Sequence, residues 1–367
     1  MDSERFMENK HPANEIDLFE TQETTKIGFI GPYYPSDTTE AILSLADLTF
    51  RCGYSPVLYS QDTKFKDLHP RWTTPKPLTN SRLLFSATLV IWDSYLPVLK
   101  EIWSKVSNIP KIMVLEQGFQ EEIPECNYCL VRTPEQLTYS LRTHLGKKAV
   151  FLPWSSGRLL SDRHLRTNTQ KLNRVAIYLP PDYPKYDTSF LPLLLKTLVK
   201  NNYNVTVCGF VSPRLKQLLI DIYTAYKDNI SLAFSPSYLE RRAVARHNDW
   251  IVVLNLRNPA VSIIGEFLDY AIPVICVEHK VLTDHFGDNI LSIPSICYNN
   301  SKNPSLRINT FLTECFSFLE DYKLWDKVTC NLEQYSEIRQ REFISRWSEM
   351  ITSCMRLYYS KKRLCEL

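Results

Sequence analysis

The residues best placed to do chemistry lie between Asp249 and Val277, in the stretch DWIVVLNLRNPAVSIIGEFLDYAIPVICV. Trp250 to Leu254 is an apolar run of strand length, Asn255 to Pro259 is a loop of turn formers, and Ile272 to Val277 is a second, β-branched run. A helix joining two buried parallel strands makes a βαβ unit, and sheets built this way bind ligands at the carboxyl ends of their strands. Glu266, expected to open that helix, is therefore placed beside a ligand crevice; its plain alternative is a first-turn acid favoured by the helix dipole. Trp92 and Asp93 end another apolar run, Thr88 to Trp92, and an aromatic ring beside a carboxylate suits a sugar or a base. The reading as a core Trp followed by a helix-capping Asp is favoured slightly over it. Metal chemistry finds little footing. The chain has no D-x-D, and Cys126-x-x-Cys129 stands alone, without the second ligand pair that a structural zinc site needs. His279 and His285 read as loop residues rather than ligands.

These residues need a scaffold, and the hydrophobic pattern supplies one. Residues 1 to 25 are polar and acid-rich without apolar periodicity, and read as a tail. Strand Lys26 to Ile30 then leads through GPYYPSD to a helix in which Asp37 and Glu40 form a capping-box-like start, and Ala41, Leu45, Leu48 and Cys52 mark one face up to Gly53. Further strands are expected at Pro56 to Tyr59, Thr88 to Trp92, Lys111 to Leu115 and Tyr128 to Val131, alternating with helical stretches at Leu96 to Val106 and Pro134 to Leu145. A basic connection over 154 to 172 separates this series from a second one, with strands at Arg174 to Leu179, Asn204 to Cys208, Ile230 to Phe234, Ile251 to Leu254 and Pro273 to Val277. Alternation of this kind is the signature of doubly wound parallel sheets. The expected organisation is an α/β chain with Rossmann-like domains at 26–153 and 173–330, facing a cleft, and a terminal helix over 331–367. That helix places Tyr335, Ile338, Trp347, Met350, Cys354 and Tyr358 on one broad stripe, suited either to packing back on the first domain or to an ordinary core.

Composition agrees. A length of 367 residues fits two or three domains, and 44% apolar residues are ample for sizeable cores. No run of about 18 uncharged apolar residues exists and the charged N-terminus lacks a signal-peptide core, so a soluble, cytoplasmic protein without a transmembrane segment is expected. Ten scattered cysteines, several inside apolar strands, suit reduced buried thiols. A net charge of +3 neither demands nor excludes a polyanionic partner.

The 249–277 segment resembles the retaining glycosyltransferases of family 4, which have the GT-B fold. Glu266, Pro273, Val274 and Ile275 stand at that family's spacing without a gap, with Asp249 and Pro259 in register. The family's first acidic position is Asn258 here, the Gly that follows it in the family is Val261, and the Gly before Pro-Val-Ile is Ala271. The string NYCLVRTPEQLTYSLRTHLGKKAVFLPW is similar to the end of the family's first domain. The resemblance implies a nucleotide-sugar donor as co-substrate, no resident cofactor and no metal, with helix N-termini and cations stabilising the departing diphosphate. It implies that Glu266 binds the donor ribose hydroxyls and that Asn258 meets the donor sugar or phosphate without a charge. Lys185 would fill the family's Lys role, while Pro180 stands at its Arg position, leaving Arg214 and Lys280 as substitutes. Gly31 would approach the donor phosphates. Glu116 and Gln117, where relatives carry a His, would orient the acceptor hydroxyl or take its proton, with Trp92 and Asp93 at the acceptor. Two other readings stay open. One is transfer onto modified bases of DNA, with Lys147, Lys148, Arg158, Arg163, Arg166, Lys171 and Arg174 following phosphates; the other is a catalytically retired GT-B domain used for binding.

Overall fold

The computed structural model describes residues 25–365 apart from 35, 62–74, 101–102, 116–123, 132–133, 143–144, 153–154, 156–171, 182–189, 235–237, 256–258 and 295–303. The chain forms two parallel-sheet α/β domains. In the first, β1 (Lys26–Ile30), β2 (Ser55–Ser60), β3 (Lys76–Pro77), β4 (Thr88–Trp92), β5 (Lys111–Leu115), β6 (Tyr128–Val131) and β7 (Ala149–Phe151) lie in the order 3-2-1-4-5-6-7. In the second, β8 (Arg174–Leu179), β9 (Asn204–Gly209), β10 (Ile230–Phe234), β11 (Trp250–Val253), β12 (Val274–Val277) and β13 (Leu291–Ile293) lie in the order 10-9-8-11-12-13. Every described strand pair is parallel. Strand order reverses at β1/β4 in one sheet and at β8/β11 in the other, and a crevice opens at such a reversal.

The expected strands are present, with bounds that shift by a residue at some ends. The strands not anticipated, β3 and β13, are two or three residues long and exist because a neighbouring strand offers them a ladder, while β7 is the strand before the proline in the string that resembles the end of the family's first domain. The stretch expected to be helical over Leu96 to Val106 is broken instead into a 3-10 turn at Asp93–Tyr95, the short helix α3 (Leu96–Leu99) and a second turn at Ser104–Val106. α2 (Asn80–Leu83) precedes it and α4 (Pro134–Ser140) follows it.

Helix α1 (Asp37–Arg51) is capped by Ser36, whose hydroxyl accepts from the Thr39 amide at 3.1 Å. Asp37 is thus the first helical residue, and Glu40 points elsewhere instead of closing a capping box. The second domain carries α5 (Phe190–Lys200), α6 (Pro213–Ala225), α7 (Tyr238–His247), α8 (Val261–Asp269), α9 (Lys280–Phe286) and α10 (Pro304–Leu319). At the carboxyl end of β9, Gly209 has φ +124, and a Cβ there would lie 2.1 Å from the Leu179 carbonyl oxygen, so the β8/β9 approach excludes any side chain.

The last helix, α11, runs from Tyr322 to Cys365. It starts nine residues earlier than the sequence pattern suggests, because the Asp321 carboxylate accepts from the Leu324 amide at 2.9 Å and caps it. Its buried stripe is Leu332, Ser336, Arg339, Phe343, Trp347, Met350, Ile351 and Cys354, spaced at three and four. Ile338, expected on that stripe, is exposed, and a buried arginine takes its place. α11 spans both domains. The Trp347 indole donates to the Thr49 hydroxyl at 2.9 Å, the Arg346 guanidinium donates to the Phe151 carbonyl at 2.6 Å, and the Trp325 indole donates to the Asp249 carbonyl at 2.9 Å.

One buried charge is satisfied by nearby backbone. The Lys111 ammonium donates to the carbonyls of Val106, Ser107 and Ile109 and lies over the Trp103 ring, and burial lowers its pKa to about 8. Cys126, Cys129, Cys208, Cys276, Cys315 and Cys354 are buried free thiols. Burial pushes Cys126 up to about 11 and the other five to about 12. No described helix is long and apolar enough to cross a membrane.

Candidate functional site

The two domains meet through α8, a helix with all nine residues buried between its own sheet, α1 and α11. Most of its sequence, VSIIGEFLD, is apolar all round, as a helix covered on every side requires. Its polar members must therefore find partners inside. Glu266 is the sixth residue of α8 and not its opening acid, because the helix begins only at Val261.

Glu266 is 4% exposed and is gripped from one side by Arg241 of α7, whose Nε and terminal nitrogen donate to Oε2 at 3.1 and 3.0 Å. The same guanidinium donates to both carboxylate oxygens of Glu40 on α1, at 3.2 and 2.6 Å. Tyr270 donates to the other Glu266 oxygen at 3.4 Å. Arg241 thus joins a carboxylate of each domain across their interface. Burial alone would lower its pKa, but Glu266 and Glu40 together outweigh that and hold it well above the usual arginine value. The cluster carries one net negative charge. Beside it lies Tyr178, on β8, wholly buried, with its ring edge-on to Phe267 and its hydroxyl without a hydrogen-bond partner among the described residues; burial raises that hydroxyl well above the ordinary phenol value.

A second buried pair lies three residues along α8. Arg339 of α11 donates to the Asp269 carboxylate and to the Gly265 carbonyl, and the Ser155 hydroxyl, in the connection between the domains, donates to the other Asp269 oxygen at 2.9 Å. Arg339 also lies against the Tyr335 and Phe286 rings. α8 is therefore tied to α1, α7, α11 and the interdomain connection.

Both ends of α8 are flanked by left-handed residues. The residue before its first turn, Ala260, has no side chain to cap it and sits in the left-handed region at φ +51. Beyond its last residue Ala271 is also left-handed, φ +54, which explains why a glycine suits that position and why alanine is strained there. Asn255, after β11, bonds through its amide to both the N–H and the C=O of Val277, joining the carboxyl ends of β11 and β12.

The other expected site residues separate into three groups. Glu116, Gln117, Asn258 and Lys185 lie outside the described residues. Gly31 lies buried at the start of the β1–α1 loop, where a Cβ would meet the Ile42 side chain at 2.5 Å, so close packing of the loop on α1 already accounts for glycine. Arg214 and Lys280 are exposed at the starts of α6 and α9. Trp92 is fully buried in the core and offers no open ring face, while Asp93, the first residue of the 3-10 turn, is buried and accepts from the Ser94 amide at 2.8 Å. His279 caps α9, and His285 lies beside the Phe151 and Phe286 rings. Among the described residues no three His, Cys, Asp or Glu side chains converge as metal ligands would. Of the basic rim, Lys147, Lys148 and Arg174 are described; Lys148 lies 3.9 Å from Glu125. Asp249, in register with the family pattern, bonds the Arg174 amide at the amino ends of β8 and β11, far from the crevice. Arg241 was missed by sequence reasoning. The available signal was a carboxylate on an all-apolar helix, which demands a cation, but nothing local said which.

Solved structures share this architecture. The UDP-GlcNAc 2-epimerase from Neisseria meningitidis, bound to UDP-GlcNAc, aligns with a TM-score of 0.59 at 11% identity over 90% of this chain and 99% of that one. Sucrose-phosphate synthase from Thermosynechococcus elongatus aligns at 0.58 and 11% over 92% and 100%, and the S. aureus MnaA-UDP co-structure at 0.56 and 12% over 83% and 91%. MurG from Acinetobacter baumannii is also similar. No family model and no curated protein matches the sequence. The fold is GT-B, and the narrower likeness to family 4 rests on residues 249–277.

Proposed function

We propose that this chain is a GT-B glycosyltransferase that takes a nucleotide-diphosphate sugar at the crevice between its sheets and passes the sugar to an acceptor, with retention and without a metal ion. The observation that carries this reading is α8 itself: a helix that starts at the strand-order reversal of the second sheet and carries Glu266, the carboxylate of the resembled pattern, buried at the domain interface. The dipole of a helix start stabilises a phosphate anion, and Glu266 would accept from the ribose hydroxyls. Arg241 would then be a positioning residue that keeps Glu266 oriented. Asn258, Lys185, Arg214 and Lys280 would serve the donor, and Glu116 and Gln117 the acceptor. Neighbours solved with UDP or UDP-GlcNAc make uridine donors the first to test. One of them is an epimerase, so the fold alone does not decide for transfer.

The Arg241 clasp favours a second reading, a GT-B domain retired from catalysis, since it occupies Glu266 and closes it against Glu40. Heat denaturation with UDP, GDP and ADP, combined with donor hydrolysis in excess chelator, separates the two. The enzyme reading expects stabilisation by one nucleotide, weakened about tenfold to a hundredfold in affinity by Glu266→Gln, and chelator-resistant turnover. Nucleotide binding without turnover of any donor supports the retired domain; turnover that requires added Mg or Mn overturns the metal-free mechanism.

A further inference from the structure

The first sheet has a second feature, on the face turned away from α1. Among the described residues between β2 and β4, the one helix is the four-residue α2. Beside it lies a hollow of about 250 Å³ lined by Lys26, Val57, Tyr59, Lys76, Arg82 and Phe85. Its construction follows from the strand register: Tyr59 sits opposite Lys76, and its hydroxyl donates to the Arg82 carbonyl at 3.1 Å, fixing α2 over the sheet. Gly28 forms the floor nearby, where any Cβ would come within 2.8 Å of Leu89 and Ser86.

Three cations surround this hollow, and none of them forms an ion pair with a described carboxylate. Like charges gathered at one concavity repel one another unless an anion joins them. Arginine offers a planar fork and lysine a point charge, both matched to phosphate oxygens. Phe85 stands at the mouth with 73% of its surface exposed, a large ring left open beside the charges. The volume falls just below the usual range of about 300–1,000 Å³ for small-molecule sites, which suits a compact ligand.

We propose that this hollow is a binding site for a small phosphate monoester carrying a planar ring, with Lys26, Lys76 and Arg82 holding the phosphate and Phe85 covering the ring. The site lies on the opposite face of the sheet from the domain interface and stands independently of the donor reading.

The test uses the full chain with phenyl phosphate, inorganic phosphate and phenol, followed by titration calorimetry and ligand-observed NMR. Phenyl phosphate should bind more tightly than inorganic phosphate, and phenol should not bind. The double variant K76Q/R82Q should weaken both phosphates about tenfold or more. F85A should leave inorganic phosphate unchanged and abolish the advantage of the phenyl group. All three side chains are exposed, so the fold should survive, as an unchanged melting temperature would verify. Absence of phenyl phosphate binding, or binding that persists in K76Q/R82Q, overturns the proposal. So does capture by phosphatidate vesicles without binding of the soluble ester, which would place the chemistry at a membrane surface.

Discussion

Replacing Arg241 by methionine is the sharpest probe of how the two domains are held together. Methionine roughly fills the space of the arginine stem, so the change removes the charge and four hydrogen bonds with little cavity. Glu40 and Glu266, 7% and 4% exposed, are then left facing each other without a cation. Breaking a buried ion pair by removing one partner costs about 3–5 kcal/mol, because the remaining charge stays desolvated. For a domain of this size a kcal/mol corresponds to about 2–4 °C, so R241M should melt roughly 6–20 °C below the parent. One carboxylate should then retain a proton in the folded state to higher pH than in the unfolded chain. That sign makes the deficit shrink in mild acid and grow as pH rises. Adding E40Q and E266Q to R241M removes both charges and should recover much of the loss. Urea denaturation at 25 °C from pH 5 to 8 reads both effects. If R241M stays within about 1 kcal/mol of the parent, or if its deficit is the same at pH 5 and pH 8, Arg241 does not hold the carboxylates as described.

Three other outcomes follow from named features. Y178F removes a buried hydroxyl with no partner among the described residues, so it should leave stability unchanged or raise it by up to about 1–3 kcal/mol in urea; a clear loss would show that the hydroxyl is satisfied. A271G relieves a left-handed alanine and should stabilise by about 1 kcal/mol, a prediction that fails if the midpoint falls. Six thiols ionise near pH 9 when unfolded but only near 11 to 12 when folded, so the native state binds more protons in that window, and stability present below pH 9 is lost as pH rises, by about 1.4 kcal/mol per thiol at pH 10. Lys111 acts the other way, gaining stability as pH rises above about 8, but one lysine offsets only about two thiols by pH 10. Melts in reducing buffer between pH 8 and 10.5 should therefore fall steeply above pH 9, and a flat profile would contradict the burial of these thiols.

What could be read from the sequence was whatever local periodicity encodes. The β-branched runs around Thr88–Trp92, Lys111–Leu115 and Trp250–Val253 announce buried parallel strands, and their alternation with helices announces the fold. The start of α8 was misplaced because Val261 to Ile264 continues an apolar run without a capping side chain to mark the boundary. The stripe of α11 was blurred because Arg339 interrupts it, and an arginine reads as surface until its partner Asp269 is known. Arg241 was invisible for the same reason: its partners lie 25 and 201 residues away in sequence, a pairing that only tertiary structure brings about.

The long helix α11 has a consequence for the chain while it is being made. Phe29 packs against Trp347, and Thr49 and Thr88 bond to Trp347 and Met355, so the first sheet's inner face is completed by residues about 300 positions later. At about 5–20 residues per second, a ribosome needs roughly 15–60 s to travel from Thr49 to Trp347. Through that interval the nascent first domain exposes Phe29 and the apolar side of α1 to solvent and to its neighbours on the polysome. Codon choices that slow translation between the two domains would lengthen this exposure, and a holdase that covers the same face until α11 emerges would shorten it.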